Sequence, residues 1–99
     1  MSYYLFKLTP PRPTFPQDMT PAEGEVMQAH GAYWSTLANN GVAIVVGPVA
    51  DPAGAWGVAV VEVADEAAAR TLADKDPVTM SGLAFKYDIF PMLQALLRK

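Results

Sequence analysis

The 99-residue sequence contains no cysteine and only one histidine, His30. The absence of cysteine excludes disulfide bonds, thiolate-bound metals and a cysteine nucleophile, and it fits a reducing compartment. With a single histidine, a transition-metal site also lacks its usual ligands, and no clustered Asp/Glu motif supports a site for a hard cation. We therefore expect no metal and no cofactor.

Basic residues are scarce as well. Seven Lys and Arg against ten Asp and Glu give a formal net charge of −3, with a sequence pI of about 4.8 and no basic cluster. This balance argues against nucleic acid as a partner.

Long hydrophobic runs are also missing. No stretch approaches the roughly 18 consecutive apolar residues of a transmembrane helix. The first residues, Met1 to Lys7, lack the basic start and the long apolar middle of a signal peptide. We expect a cytoplasmic protein without a membrane partner.

Apolar residues, in contrast, are abundant and make up 52% of the chain. This share exceeds the roughly 45–50% of typical globular domains. A chain of 99 residues is expected to form one domain, residues 1–99, with a small core. The sequence therefore contains more apolar surface than one small core needs.

The stretch from Thr20 to Gly41 carries the histidine and predicts a long helix. Thr20 can cap the helix, Pro21 fits its first position, and Glu23 completes a capping box. The run Asn39-Asn40-Gly41 indicates the end, with Asn40 or Gly41 in the left-handed conformation.

On a helical projection, His30 falls within the apolar stripe of this helix, beside Val26, Tyr33 and Leu37. A buried imidazole needs a partner, because an unpaired buried polar group costs about 1–3 kcal/mol. One interpretation is a core histidine bonded to a backbone carbonyl. The other is a functional-site histidine that exchanges a proton near neutral pH. The sequence leaves both open.

Four strands and a second helix are predicted from the remaining pattern. The strands cover residues 3–9, 42–47, 56–63 and 83–90, and the helix covers residues 66–73 after the capping Asp65. Residues 78–82 form an irregular segment or a single turn, and residues 92–99 form a short helix or a tail. Residues 10–18 contain four prolines and predict a stiff extended connection, not a helix. This connection is either a plain crossover or a wall over a pocket from which Arg12 reaches an anion.

The order strand, helix, strand, strand, helix, strand is the ferredoxin-like pattern, an α+β fold with a four-stranded antiparallel sheet. Two helices cover one face of such a sheet. Both faces of the second and third strands are apolar, so the other face exposes a patch too large for a soluble monomer. We expect it to pack against a second copy, which gives a homodimer with a barrel-like interior. The competing cover, residues 92–99, is too short.

Several short motifs follow one another in a fixed order along the chain. They are Ala29-His30-Gly31-Ala32-Tyr33, Asn40-Gly41, Gly47-Pro48, Gly57, Glu66-Ala67-Ala68-Ala69, Asp76-Pro77 and Gly82-Leu83. In these motifs the chain resembles the YCII-related (YciI-like) family. The resemblance extends from about residue 26 to the end; the first strand fits it loosely, and the proline-rich segment lies outside it.

The resemblance implies a dimeric α+β barrel and a cleft built around a histidine–aspartate pair. By motif, His30 matches the histidine and Asp76 the acid, with Asp51 after Gly47-Pro48 as the alternative acid. Most of this family has no established activity. Some relatives act in the breakdown of chlorinated aromatics, on small acidic lactone- or muconate-like compounds.

A carboxylate bonded to an imidazole fixes its tautomer, so the other ring nitrogen can take or give a proton. His30 with Asp76 or Asp51 would therefore suffice for a cofactor-free isomerase or lyase acting on a small anionic metabolite. The aromatic residues Tyr33, Trp34 and Trp56 predict either a flat pocket for an aromatic ligand or an ordinary core or dimer interface. The alternatives to an enzyme are a non-catalytic ligand-binding module and a dimeric accessory protein in which His30 is structural.

Overall fold

The main chain alternates strands and helices in the βαββαβ order that the sequence predicts. The computed structural model describes residues 1–99. Its elements are β1 (Ser2–Thr9), α1 (Phe15–Asp18), α2 (Pro21–Asn39), β2 (Ala43–Val49), β3 (Trp56–Val63), α3 (Glu66–Lys75), α4 (Pro77–Met80) and β4 (Lys86–Pro91). The two short helices are single turns: α4 corresponds to the single turn that the sequence offers for residues 78–82, whereas α1 is added to the predicted pattern.

The four strands form one antiparallel sheet with the order β2-β3-β1-β4. The two central strands, β1 and β3, pair from Ser2 to Leu8, and Phe6 lies opposite Ala59 on one side and Ile89 of β4 on the other. The predicted hairpin of β2 and β3 is present, with a register shift between Ala43 and Val45. This arrangement confirms the predicted ferredoxin-like α+β fold.

The helices α2 and α3 cover one face of the sheet, where the core lies. Alternate side chains of β1 and β3 are buried there, and fully buried Phe6 contributes about 1.5–3 kcal/mol. From α2, Trp34 enters the core and packs edge-on against Phe6. The buried side chains of α3 are Ala69 and Ala73, which are small enough for the helix to lie close to the sheet.

The opposite face of the sheet carries a continuous apolar row. The strand register places Val45, Val60, Leu5 and Phe90 side by side across all four strands. Within one chain, Val45 and Phe90 remain 54% and 52% exposed. None of the helices has the length and hydropathy to cross a bilayer.

The ends of α2 follow the predicted signals. The Thr20 side chain accepts from the Glu23 backbone N–H, and the Glu23 carboxylate accepts from the Thr20 N–H. At the other end, Gly41 has a φ of 80° in the left-handed region that favours glycine.

Two details of the sequence prediction are wrong. Residues 10–18 were expected to contain no helix, but Phe15–Asp18 forms one turn, because Pro16 lies in its first turn, where proline is tolerated. The last strand begins at Lys86 and not at residue 83, because Gly82 and Ala84 both adopt positive φ values. Residues 92–99, predicted as a helix or a tail, form a tail.

Candidate functional site

A cleft of about 600 Å³ lies between α2, the proline-rich segment and the β2–β3 hairpin. This size is within the roughly 300–1,000 Å³ of typical small-molecule sites. The lining is mainly apolar and includes Phe15, Trp34 and Trp56. His30 and Tyr87 are its only titratable side chains.

His30 lies in the middle of α2 and lines this cleft. On the side of the ring away from the cleft, its Nδ1 is hydrogen-bonded to Asp76. The Nδ1 atom lies 2.9 Å from Oδ2 and 3.1 Å from Oδ1 of Asp76. Asp76 follows α3 and caps α4, so the packing of α2 against α4 brings the two side chains together. The side chain of Asp76 is completely buried, whereas that of His30 is 15% exposed.

The Asp76 carboxylate accepts three further hydrogen bonds. Oδ2 accepts from Trp34 Nε1 at 2.7 Å and from the Tyr87 hydroxyl at 2.5 Å. Oδ1 accepts from the Val78 backbone N–H at 3.0 Å, which is the cap of α4. Asp76 therefore caps α4 and orients the histidine at the same time.

These donors determine the charge of Asp76. Burial alone would raise the pKa of Asp76, but the hydrogen bonds from His30, Tyr87, Val78 and Trp34 outweigh burial and lower this pKa below its ordinary value of 3.8. Asp76 is therefore ionised at neutral pH, and an ionised carboxylate can only accept.

The tautomer of His30 follows from that charge. Because Asp76 only accepts, Nδ1 of His30 must carry the hydrogen that bridges them. The other nitrogen, Nε2, makes no hydrogen bond within the chain. Since His30 lines the cleft, Nε2 is the atom that a bound molecule can use.

Tyr87 is a neutral donor in this network. Burial, the hydrogen bond to Asp76 and the charge of Asp76 all raise the pKa of Tyr87 far above its ordinary value of 10.0. The Tyr87 oxygen also lies 3.1 Å from Trp34 Nε1. The single indole N–H of Trp34 is therefore shared between Asp76 Oδ2 and the Tyr87 oxygen.

Of the predicted aromatic residues, Trp34 and Trp56 line the cleft and Tyr33 does not. The Tyr33 hydroxyl instead donates to the Leu72 carbonyl at 2.6 Å and ties α2 to α3. Burial, and secondarily the charge of Asp76, raise the pKa of Tyr33.

Asp51, the alternative acid, does not contact His30. It lies exposed in the β2–β3 turn and accepts from the Ala53 N–H at 2.9 Å and from Trp56 Nε1 at 3.1 Å. These two hydrogen bonds lower the pKa of Asp51. Its contact holds the indole of Trp56, which lines the cleft.

Arg12 does not line this cleft either. Its guanidinium binds the Glu23 carboxylate through two bonds of 2.8 and 2.9 Å, and its Nε lies 2.7 Å from Asp18 Oδ1. The guanidinium, and then the Thr20 backbone N–H, lower the pKa of Glu23 to about 2. Arg12 therefore fastens the proline-rich segment to the start of α2, and Phe15 of that segment forms part of the cleft wall.

Tyr87 was absent from the residues singled out in the sequence. The alternation of β4 places it on the same face as Ile89, directed at the core. A tyrosine hydroxyl in a core-facing position needs a partner, and that requirement is the signal that indicates it.

No group of three or more His, Cys, Asp or Glu side chains is placed to hold a metal ion. Apart from Nε2 of His30, the polar side-chain atoms around Asp76 are paired with one another, and no buried side-chain nitrogen or oxygen lacks a partner. An imidazole held in this way can take or give a proton at Nε2.

The family model of the YCII-related domain matches residues 6–93. The match includes residues 6–9 of β1 and also the proline-rich segment, which lies outside the resemblance seen in the sequence. No curated protein matches the chain.

Proposed function

The chain belongs to the YCII-related domain family, and we propose that its cleft performs cofactor-free acid–base chemistry as an isomerase or lyase. The substrate is a small lactone- or muconate-like metabolite. The observation that carries the proposal is His30 in the cleft lining, with Nε2 free and Nδ1 hydrogen-bonded to an ionised Asp76 on the other side of the ring.

In the proposed step, Nε2 of His30 takes a proton from a carbon beside a carbonyl, and the C–H electron pair moves into an enolate. The imidazolium that forms is stabilised by the adjacent Asp76 carboxylate. Return of the proton to another carbon completes an isomerisation. Loss of a leaving group with the electron pair completes an elimination, and His30 then releases the proton to water.

The test uses α-angelica lactone, an unsaturated five-membered lactone with an acidic CH₂ group beside its carbonyl. Proton NMR in D₂O measures deuterium uptake and migration of the double bond. A general base contributes about 10²–10⁴ in rate, so His30→Asn is expected to lose at least a hundredfold.

The matched control is Gln28→Asn, which changes an exposed side chain on the same helix. It should leave the rate unchanged, and urea unfolding shows whether either variant alters stability. Exchange that persists in His30→Asn would refute the role of His30 as the base.

A second candidate function, a binding module without catalysis, is favoured by one observation. Apart from His30, the only titratable side chain of the cleft is that of Tyr87, and its hydroxyl already donates its hydrogen to Asp76. The cleft therefore offers no second free acid or base. A ligand that binds with dependence on His30, without deuterium uptake in any lactone tested, would support this function over the enzyme.

We also propose that the chain forms a homodimer through the apolar row of the sheet. The row of Val45, Val60, Leu5 and Phe90 crosses every strand, and its two outer members are more than half exposed in one chain. An apolar face that spans a whole sheet is typical of a protein–protein contact.

A further inference from the structure

The cleft lacks side chains that could neutralise an anion. Its lining contains no lysine, arginine, aspartate or glutamate. The predicted anion ligand, Arg12, is held by the carboxylates of Asp18 and Glu23 and lies outside the cleft. The Lys7 ammonium lies 5.0 Å from the ring centroid of Trp56, but Lys7 is not part of the lining. Within the lining itself, a ligand carboxylate would therefore meet a cation only at a protonated His30.

The fixed charge behind His30 is negative. Asp76 is ionised and wholly buried, and its negative charge lies directly behind the imidazole. A single ligand charge can be balanced by a proton on His30. A second negative charge would have to rest against apolar wall, where an unpaired ion is strongly disfavoured.

The walls favour a flat ligand. Trp34 and Trp56 contribute indoles, and Phe15 and Phe85 meet edge to face with their centroids 5.4 Å apart. The lining is mostly apolar, so the displacement of water from it by an unsaturated ring is favourable.

We propose that the cleft selects a flat, unsaturated molecule that is uncharged in water and has a single carbonyl or weakly acidic hydroxyl group, which is placed against Nε2 of His30. The proposal rests on the proposed function and narrows its ligand range to the neutral, lactone-like end. This ligand range is narrower than the small anionic metabolite that the sequence suggests, because the apolar lining disfavours the dianionic, muconate-like part of the proposed substrate range.

The test uses three probes that share one ring system and differ in net charge. The probes are 2-naphthol, 2-naphthoate and naphthalene-2,6-dicarboxylate at pH 7, which have zero, one and two negative charges. Titrations follow the indole N–H signals of the two tryptophans in ¹H–¹⁵N spectra. We expect 2-naphthol to bind at least tenfold more tightly than the dicarboxylate, with 2-naphthoate between them.

Two variants locate the binding, and a third tests the preference for charge. A Cβ at Gly31 would meet nothing within 4 Å, and Gly31 lines the cleft, so Gly31→Leu adds a larger apolar side chain at the lining. It should weaken 2-naphthol binding at least tenfold, whereas Ala32→Leu, on an exposed neighbouring position, should not. Met27→Lys adds a cation to the lining and should raise dicarboxylate affinity severalfold.

The outcomes separate this proposal from the proposed function. Equal or tighter binding of the dicarboxylate, binding that survives Gly31→Leu, or no binding of 2-naphthol would each overturn the ligand class. Selective binding of 2-naphthol without deuterium uptake in lactones would leave the ligand class intact and refute the enzyme. Deuterium exchange into lactones that depends on His30, together with tighter binding of the dicarboxylate, would support the enzyme and refute the ligand class.

Discussion

His30 and Trp34 lie one turn apart on α2, and both donate a hydrogen bond to the same buried carboxylate, that of Asp76. One helix face therefore supplies a polar side chain directed at the cleft and an aromatic side chain inserted into the core. The carboxylate that orients the histidine is held in place by the core itself. Site geometry and fold stability are consequently coupled at Asp76.

Asp76→Ala is expected to cost at least about 3 kcal/mol of unfolding free energy. It removes the acceptor of four donors, and each buried donor left unpaired costs about 1–3 kcal/mol. The matched control is Asp65→Ala, an exposed helix cap that accepts only from the Ala68 N–H, with an expected cost of about 0.5–2 kcal/mol. Urea unfolding measures both, and equal costs would show that the bonds to His30, Trp34 and Tyr87 contribute nothing.

The limits of α2 could be predicted because they depend on local signals. A few adjacent residues are enough to indicate each end of the helix: the capping box of Thr20 and Glu23 at the start, and the left-handed Gly41 after the end. The late start of β4 could not be predicted, because Ala84 adopts a positive φ that its side chain normally disfavours.

The composition of the site was only partly predictable for a different reason. A single sequence gives spacing along the chain, and both Asp51 and Asp76 follow plausible motifs. Only the packing of α2 against α4 selects Asp76 as the neighbour of His30. Likewise, a helical projection places Tyr33 and Trp34 near one stripe, but which of the two faces the cleft depends on where α3 lies.

Stability should fall at high pH through Tyr87. Its folded pKa is raised above the unfolded value of 10.0, so its contribution is fully present below that value and is lost as the pH rises towards the folded pKa. Tyr87→Phe removes this ionisation, so the variant should be less stable at pH 7 but should lose less stability above about pH 10. Urea unfolding from neutral to alkaline pH checks the difference in slope. Parallel curves for the two proteins would contradict it.

Stability should also fall at low pH through Glu23. Because Arg12 and Thr20 lower its folded pKa from 4.5 to about 2, its contribution is present above pH 4.5 and is lost as the pH falls through 2. Arg12→Met removes the guanidinium, so the variant should be less stable at neutral pH and show a shallower acid transition.

The control for Arg12 is Arg70→Met, which breaks the exposed pair with Glu66 on α3. Such surface pairs contribute little, so its acid transition should match that of the unchanged chain. Because Arg12 also fastens the wall that carries Phe15, Arg12→Met should weaken 2-naphthol binding, whereas Arg70→Met should not. An acid transition of the same slope in both variants would show that the Arg12–Glu23 contact does not couple to folding.

The sheet-face homodimer predicts a dimer by sedimentation velocity at micromolar concentration. Phe90→Asp places a charge in the apolar row at a side chain that is 52% exposed in one chain, so the monomer should still fold and the dimer should dissociate. Met80→Asp makes the same change at a 71% exposed position on α4, away from the sheet, and should remain dimeric. A monomeric unchanged chain, or dissociation of both variants alike, would contradict an interface on this face.

Because the cleft and the row lie on different parts of the sheet, we expect Phe90→Asp to retain 2-naphthol binding, which would show that each chain carries a complete site.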